Sequence, residues 1–286
     1  MSTAESTLRA PRSALGACLR TWWTILRISL EERLVYRGDF MLGTLMRFLP
    51  FVTQIFLWTA VFNATSQTTI AGYTRDDIIA YYLLSNVGRA FSSMPGLAGS
   101  ISRSILDGTI KKYLIQPIDM IGFLFITRVA HKLVYYIVAA VPFALVFFLC
   151  RGFFTQGWPN PAVMAGFVAS LIMAFILGFF LEATIGMIGF WFLDVSSLLF
   201  VYMLFNFFFS GQMFPLSILP KPWDTLVLAL PIQYLAYFPA AVFLQKMSGA
   251  AMWRGLAVQT AWIVFFIVAC RVAYSRGVRR YSAYGG

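Results

Sequence analysis

The chain has 286 residues, of which 60% are apolar and 12% charged, and its mean hydropathy is +0.77. Soluble domains average about 45–50% apolar and about 25% charged residues, so too few polar side chains are present to cover a water-soluble enzyme or binding module. A net charge of +11 suggests nucleic-acid binding in a soluble chain, but here the charges lie between apolar runs. That pattern favours orientation in a membrane and contact with anionic lipid, and argues against a nucleic-acid partner.

The N-terminal region predicts a helix that lies in the membrane surface. Residues 1–14 are polar and hold no uninterrupted apolar core, so we expect no cleavable signal peptide. Between residues 15 and 38 apolar side chains recur every three to four positions, which places them on one helical face. That face comprises Leu15, Leu19, Trp22, Leu26 and Leu30. Tryptophan there, with arginine beside it, is typical of a helix in the headgroup plane. The alternative is a soluble lead-in helix.

Six apolar stretches follow, and each approaches or exceeds the roughly 20 residues that a helix needs to cross the hydrocarbon core. They cover residues 41–62, 77–100, 121–150, 162–192, 195–214 and 252–272. The predicted fold class is therefore all-α, a polytopic membrane protein with six transmembrane helices and the N-terminal interfacial helix.

A proline-rich apolar segment, residues 215–246, separates the fifth span from the last. It contains Pro215, Pro220, Pro222, Pro231 and Pro239. Because proline lacks a backbone N–H and clashes with the preceding turn, one straight helix is not expected. Two short helices that enter the membrane from its outer side and return fit better, provided that protein or water covers their irregular backbone. The alternative is a short ordered domain on the outer surface.

Basic residues indicate how the spans are oriented. Six spans place the arginine-rich N-terminal segment, the loop after the second span and the C-terminal tail on one face. The loops on the opposite face hold only Arg75, Arg151, Lys221 and Lys246. The positive-inside rule then puts both termini in the cytoplasm. We expect a cytoplasmic tail with the interfacial helix (residues 1–40), a single transmembrane domain (41–273) and a basic cytoplasmic tail (274–286).

Two charged residues, Arg89 and Glu182, lie about midway along the second and fourth predicted spans. Charges at membrane depth are costly and usually face the protein interior or a polar cavity. One hypothesis is that they pair across the bundle or line a substrate path. The other is that the span boundaries are shifted and one of them reaches an interface.

Sequence motifs for catalysis are absent. The chain has no HExxH, GxSxG or CxxC motif, no GxxxxGK[ST] phosphate loop and no cluster of metal ligands. Cys18, Cys150 and Cys270 are too far apart in sequence to suggest a zinc site or a disulfide framework. We therefore predict that the chain is not an enzyme and binds no metal; a membrane-embedded transferase is the enzymatic alternative.

The loop at residues 102–119 mixes isoleucines and leucine with basic side chains, and Gly108 and Pro117 punctuate it. A short helix along the inner membrane surface would present this mixture to a partner protein. A solvated connecting loop is the alternative, but the apolar content argues against it.

Three stretches together resemble the permease subunits of ATP-binding-cassette exporters, in the type-2 class with six spans. The resemblance covers about residues 20–275. LEERLVYRGDF (30–40) is similar to the approach to that family's first span, and ILDGTIKKYLIQPI (105–118) to its cytoplasmic loop after the second. GQMFPLSILP (211–220) and LPIQYLAYFP (230–239) are similar to its outer re-entrant segment. The positions concerned are Gly211, Pro215, Pro220, Pro231 and Pro239.

The resemblance implies a half-transporter in the bacterial cytoplasmic (inner) membrane. Two permease chains, identical or different, would form the pathway, and separate ATPase subunits would bind ATP and Mg, leaving this chain without a cofactor. The substrate would be a hydrophobic or amphipathic small molecule, a lipid or a glycolipid. The ATPases would dock on the cytoplasmic loop and the interfacial helix. The docking residues implied are Asp107, Gly108, Lys111, Lys112, Pro117, Arg27, Glu31 and Glu32.

Other functions stay open on the sequence alone. An ATP-independent channel or lipid scramblase would be active in liposomes without any ATPase. A membrane-bound transferase would form product from lipid unaided. A structural membrane anchor would tolerate neutralisation of both Arg89 and Glu182.

Overall fold

The computed structural model describes residues 14–34, 49–65, 68–155, 157–192 and 194–281, together with Gly43 and Met46. These residues are largely helical, and no β-strand is found among them, so the all-α class is confirmed for the described part of the chain. The α-helices are α1 (Ala14–Leu34), α2 (Leu49–Thr65), α3 (Arg75–Ser92), α4 (Leu97–Leu106), α5 (Lys111–Leu114), α6 (Met120–Leu149), α7 (Pro161–Met187), α8 (Ser196–Phe209), α9 (Trp223–Ala229), α10 (Tyr237–Phe243) and α11 (Gly249–Arg280). Short 3-10 turns occupy Arg151–Phe153, Ile188–Phe190, Leu216–Ile218 and Pro231–Leu235.

Three helices in the described part of the chain are long and apolar enough to cross a membrane. They are α6, α7 with its 3-10 extension to Phe190, and α11, of 30, 30 and 32 residues. At a rise of about 1.5 Å per residue, each exceeds a hydrocarbon core of about 30 Å. Helices α2 and α8 are apolar but shorter. The chain is thus a multi-pass membrane protein, and the count of six spans stays a prediction.

The second predicted span is not one helix. The expected segment, residues 77–100, is divided between α3, which ends at Ser92, and α4, which begins at Leu97. Pro95 cannot continue a helix, and Gly96 takes a positive φ of 71°, which glycine adopts without strain. The expectation of a continuous second span is therefore wrong at this point. Most of α3 is buried by neighbouring helices, so it also differs from a lipid-facing span.

Other boundaries shift by a few residues. The last helix, α11, continues to Arg280, so residues 274–280, predicted as part of the tail, are helical. Helix α8 ends at Phe209, shortly before Gly211 takes a φ of +83°. Helix α1 covers most of the predicted interfacial helix, and the remainder, residues 35–38, lies outside the described residues. Residues 1–13 and 282–286 also lie outside them.

Helix α7 is at the centre of the bundle and packs against α3, α4, α10 and α11. Glycine permits this closeness at two places. A Cβ on Gly178 would lie 2.2 Å from the carbonyl oxygen of Ser92, and one on Gly186 would lie 2.9 Å from that of Ala98. Small residues allow helix backbones to approach closely in lipid, where side chains of neighbouring helices gain little from burial alone. These two glycines of α7 therefore allow it to pack closely against the end of α3 and the start of α4, on either side of the break.

The described bundle has two ends of different composition. We call one the basic end: it contains residues 106–119, 188–192, 194–196 and 271–281, and α1 packs beside it on the start of α6. We call the other the proline end: it contains residues 68–74, 150–155, 157–160 and 211–248. Phe190 meets Tyr281 at the basic end, with ring centres 6.0 Å apart. Phe154 meets Phe243 at the proline end at the same separation.

Candidate functional site

A polar cavity of about 360 Å³ lies at the break between α3 and α4. Its walls come from α2, α3, α6, α7 and the turn after α8. The polar residues that line it are Asn86, Arg89, Ser93, Tyr135, Glu182 and Gln212. The two intramembrane charges singled out in the sequence, Arg89 and Glu182, thus line one cavity.

The break leaves backbone groups without helical partners, and side chains from α6 bind them. The ammonium of Lys132 donates to the carbonyl oxygen of Ala90, and it lies 3.4 Å from the hydroxyl of Ser93. The guanidinium of Arg128 donates to the carbonyl oxygen of Pro95 at 3.1 Å. Backbone carbonyls that lose their helical partners need other donors, and these two cations supply them. The bond to Ala90 is buried, whereas the bond to Pro95 is exposed. Lys132 is only 5% exposed.

Arg89 and Glu182 are held by further polar contacts. Arg89 donates to the side-chain oxygen of Asn206 at 3.1 Å, and the Asn206 amide donates to the hydroxyl of Tyr202 at 3.2 Å. The carboxylate of Glu182 accepts a hydrogen bond from the backbone N–H of Met94 and interacts electrostatically with Arg89, Arg128 and Lys132. Glu182 therefore lies within electrostatic reach of three cations, one from α3 and two from α6.

Sequence reasoning did not assign Arg128 and Lys132 to this site. They are four residues apart on α6, so they share one helical face. That spacing was visible in the sequence, but the face they share points at the break in α3–α4, which was not predicted. Among the described residues, no three His, Cys, Asp or Glu side chains gather as a metal site would require.

An apolar groove of about 410 Å³ continues from the polar cavity between α6 and the α3–α7 pair, and the two share Tyr135 and Phe143. Its wall is almost entirely apolar and includes Val87, Phe91, Ala140, Phe147, Met164 and Phe167. The groove runs on into a second apolar space of about 360 Å³ at the proline end, beside Arg151 and Trp158. Phe91 and Tyr136 stack across the groove with ring centres 4.4 Å apart. The polar cavity therefore has a long apolar extension on one side.

The predicted docking loop forms a firm surface at the basic end. Gly108 takes a φ of +72° and turns the chain after α4, and the N–H of Ile110 bonds the carbonyl of Ser104 at 2.9 Å. Ile110 is fully buried, so it anchors the loop. The exposed side of the loop carries Leu106, Asp107, Lys111, Lys112, Leu114, Ile115 and Pro117. Ile115 is 83% exposed, which is unusual for a large apolar side chain on an ordered turn.

Helix α1 lies beside this loop because both pack on the start of α6. Trp22 covers Gly122, where an added Cβ would lie 2.8 Å from the indole ring. Tyr113 of the loop packs on Phe123, with ring centres 5.7 Å apart. The implied docking residues of α1 point outward: Arg27 and Glu31 form an exposed ion pair at 2.9 Å, and Glu32 is exposed.

An ion pair ties the start of α6 to α11 at the basic end. The carboxylate of Asp119 caps α6 by accepting a hydrogen bond from the N–H of Gly122 at 2.8 Å. The guanidinium of Arg271 donates two hydrogen bonds, of 2.6 and 2.8 Å, to the same carboxylate. Partial burial raises the pKa of Asp119, but the hydrogen bonds from Arg271 and Gly122 outweigh it, so the pKa lies below its usual value. Movement of the docking loop is therefore linked to both long helices.

The proline-rich segment folds against the bundle. Of the five positions singled out there, Gly211, Pro215 and Pro239 are buried, Pro231 is half-buried and Pro220 is exposed. Pro215 precedes one 3-10 turn, Pro231 begins another, and Pro239 lies in α10, in which every residue is buried. The prolines therefore divide the segment into short pieces, and its second half is inserted between α3 and α7.

Tyrosines of α3 hold this segment by its backbone. Tyr81 donates to the carbonyl oxygen of Gly211, and Tyr82 donates to that of Met213. A Cβ on Gly211 would lie 2.5 Å from the Tyr81 hydroxyl, so only glycine fits there. At the far end of the segment, Lys246 bonds Asp77 at 3.0 Å. Both ends of the proline-rich segment are therefore fastened to α3.

The long apolar helices, the polar cavity and the inserted segment define a multi-pass membrane protein built around a broken span. The family model described as ABC-2 family transporter protein matches residues 48–285. Because this match covers most of the chain, the protein belongs to that family of ABC transporter membrane components. Membership implies association with ABC ATPase subunits. A search of curated proteins finds no match to the chain.

Proposed function

We propose that the chain is the permease subunit of an ATP-driven exporter. It forms the substrate pathway with a second permease chain, identical or different, and separate ATPase subunits bind ATP and Mg. The substrate is a hydrophobic or amphipathic small molecule, a lipid or a glycolipid. The basic end faces the cytoplasm of a bacterium, in accord with the positive-inside rule, and both termini lie on that side of the inner membrane.

The observation that carries this proposal is the surface at the basic end. The loop anchored by Ile110 presents Lys111, Lys112 and the nearly fully exposed Ile115 beside α1. An apolar side chain surrounded by charges on an ordered surface is typical of a protein–protein interface. The two elements implied as docking sites are thus neighbours, although about 80 residues separate them in sequence.

The same packing gives a route from the ATPase to the pathway. The docking loop follows α4 directly, and α4 begins at the break that borders the polar cavity. The loop also leads into α6 through Asp119, whose carboxylate binds Arg271 of α11. A displacement of the loop on ATP binding would therefore move α4 and α6 relative to α7. Helices α6 and α7 form cavity walls, and α4 begins at the break beside the cavity.

The test is co-purification of the tagged chain, in mild detergent, with a co-expressed ABC ATPase whose gene neighbours its own. We compare the wild type with the double variant Lys111→Glu, Lys112→Glu, and with a control of equal charge change at the proline end, Arg75→Glu, Lys221→Glu. We expect the wild type and the control to recover the ATPase with ATP turnover, and the docking variant to lose at least about 90% of it, a loss of about 1.4 kcal/mol.

Recovery of no ATPase with well-folded wild-type chain would overturn the proposal. Lipid movement in liposomes without any ATPase would then favour the channel or scramblase alternative. Equal loss in the control variant would show that the charge change acts on folding and not on docking.

A further inference from the structure

We propose that the last turns of α11 and the docking loop form one continuous surface for the ABC ATPase. The exposed arginines of these turns, Arg276, Arg279 and Arg280, bind an acidic surface of the ATPase. This inference rests on the proposed function. It adds α11 to the docking elements and specifies the charge that the ATPase presents to them.

The docking loop lies along the end of α11. Near the start of the loop, a Cβ added to Gly108 would lie 3.5 Å from the hydroxyl oxygen of Tyr281. At the finish of the loop, the carboxylate of Asp119 accepts two hydrogen bonds from Arg271. From Arg271 to Tyr281 the chain advances about 15 Å, at about 1.5 Å per helical residue. The loop therefore follows the last turns of the helix and contacts them at both of its ends.

One apolar cluster joins the loop to the helix end from inside. Ile110, the buried anchor of the loop, belongs to this cluster together with Phe190. Val278 and Tyr281 pack against the same cluster. A Cβ on Gly277 would lie 2.2 Å from the ring of Phe190, so the helix end approaches the cluster as closely as glycine allows. The loop and the helix end therefore share a core, and a partner that binds the first meets the second.

The outward side of the same helical turns is basic. Arg276, Arg279 and Arg280 are exposed, and their spacing of three and four residues places them on one face of α11. No ion pair is found for these three among the described residues. Lys111 and Lys112 of the loop are exposed as well. A partner with carboxylates on its surface complements this combination of loop and helix.

The length of α11 favours a protein partner over the membrane surface. The apolar stretch predicted to cross the bilayer ends near residue 272, and α11 continues to Arg280. At about 1.5 Å per residue, Arg279 and Arg280 lie about 10–12 Å beyond the hydrocarbon core. The headgroup layer on one side of a bilayer is about 5–8 Å thick, so both residues lie past it. An ATPase that binds the loop would meet them there.

The experiment measures the affinity of the ABC ATPase for the full-length chain by biolayer interferometry. The chain is reconstituted in nanodiscs of phosphatidylcholine, which has no net charge, so the lipid does not compete for the arginines. The variant Arg279→Gln, Arg280→Gln removes two charges of the helix end. The matched control, Arg75→Gln, Arg254→Gln, removes two exposed charges outside the basic end.

We expect the variant of the helix end to bind the ATPase about fivefold more weakly than the wild type at about 0.05 M NaCl. Because salt screens exposed charges, the difference should fall below about twofold at about 0.5 M NaCl. The control should bind as the wild type does at both concentrations. No difference from the wild type, a difference that does not depend on salt, or an equal loss in the control would overturn the proposal.

A second variant keeps every charge and tests the contact between the helix end and the loop. Tyr281→Ala removes the ring that packs on Phe190 beside Gly108. We expect ATPase binding to weaken about threefold at both salt concentrations, because the loop is then less well ordered before binding. Tyr281→Phe restores the ring and should restore binding. Normal binding by Tyr281→Ala would overturn the shared surface.

Comparison with the loop variant Lys111→Glu, Lys112→Glu separates this inference from the proposed function. Loss of ATPase binding in the loop variant, with normal binding in Arg279→Gln, Arg280→Gln, would overturn the role of α11 alone. Absence of binding by the well-folded wild type would overturn the exporter assignment itself.

Discussion

At the proline end, polar side chains are bonded to groups of the same chain, whereas at the basic end charged and apolar side chains lie together on the surface. Tyr81, Tyr82 and Lys246 all hold the proline-rich segment onto α3 or the loop before it. Ile115 and Lys111 at the basic end are exposed on a turn whose interior is fixed. The proline-rich segment is fixed by contacts within the chain, whereas the loop at the basic end leaves Ile115 exposed, and we propose that the ATPase docks there. Substitutions should therefore reduce stability at the first end and association at the second.

The largest expected effect is the loss of the ion pair at the proline end. The side chain of Asp77 is only 6% exposed, and Lys246 binds it while also donating to the carbonyl of Gly72. Lys246→Met leaves the buried carboxylate without this counter-charge, which should cost about 3 kcal/mol of unfolding free energy. Denaturant unfolding in detergent measures it. The exposed Lys221→Met is the control, and equal effects of the two changes would contradict the comparison.

The next effect is steric and also belongs to the proline end. Gly211→Ala places a Cβ against Tyr81 and Tyr237 and requires an unfavourable positive φ. Overpacking and backbone strain together predict a loss of about 2 kcal/mol in the same unfolding assay. Gly152 has open space around its Cβ position and no positive φ, so Gly152→Ala should change stability by less than about 0.5 kcal/mol. An unchanged unfolding free energy in Gly211→Ala would mean that the proline-rich segment is loosely packed against α3.

The basic end should show the opposite behaviour. Ile115→Ser removes an exposed apolar side chain, so the unfolding free energy should change by less than about 0.5 kcal/mol. Recovery of the ATPase in co-purification should fall about tenfold, as for the loss of a central interface residue. Trp223→Ser changes an exposed apolar residue at the proline end and should leave recovery intact. If Ile115→Ser binds the ATPase normally, the docking surface lies elsewhere.

The smallest effect concerns the ion pair between α6 and α11. Asparagine is as good a helix cap as aspartate, so Asp119→Asn removes only the charge that binds Arg271. Because the pair is partly exposed, we expect a loss of about 0.5 kcal/mol near neutral pH. The folded-state pKa of Asp119 is lowered, so its contribution is present above the unfolded value of about 3.9 and is lost as the pH falls through the folded value.

Thermal unfolding of the wild type and Asp119→Asn at several pH values measures this effect. The difference between the two proteins should be constant near neutral pH and vanish in acid. A difference that grows as the pH falls would contradict the sign derived from the lowered pKa.

Local sequence rules predicted the elements whose structure depends on nearby residues. The prolines at 215, 231 and 239 divide the segment between α8 and α11 as expected, since proline acts on its own turn. The apolar face of α1 was also predicted, and Trp22, Leu26 and Leu30 of that face are half-buried. The all-α class followed from composition and span length.

Features that depend on contacts between distant segments could not be predicted from the sequence. Pro95 and Gly96 signal a helix end, but the apolar residues on both sides of them favour a continuous span, so hydropathy alone predicts the wrong structure here. Arg128 and Lys132 became part of the site only because α6 passes the carbonyls that this break exposes. A pattern within one helix cannot specify which residues of another helix it will meet.

The break at residues 93–96 also has a consequence for helix dipoles. The end of α3 carries a partial negative charge and the start of α4 a partial positive one. Lys132 binds a carbonyl at the negative pole, and Glu182 accepts from the N–H of Met94 in the turn between the two helices. A continuous helix, as in Pro95→Ala with Gly96→Ala, would abolish both poles and leave these two side chains without the main-chain groups that hold them. The break and the charges beside it are thus structurally coupled, and a change that removed the break would leave the charges without their main-chain partners.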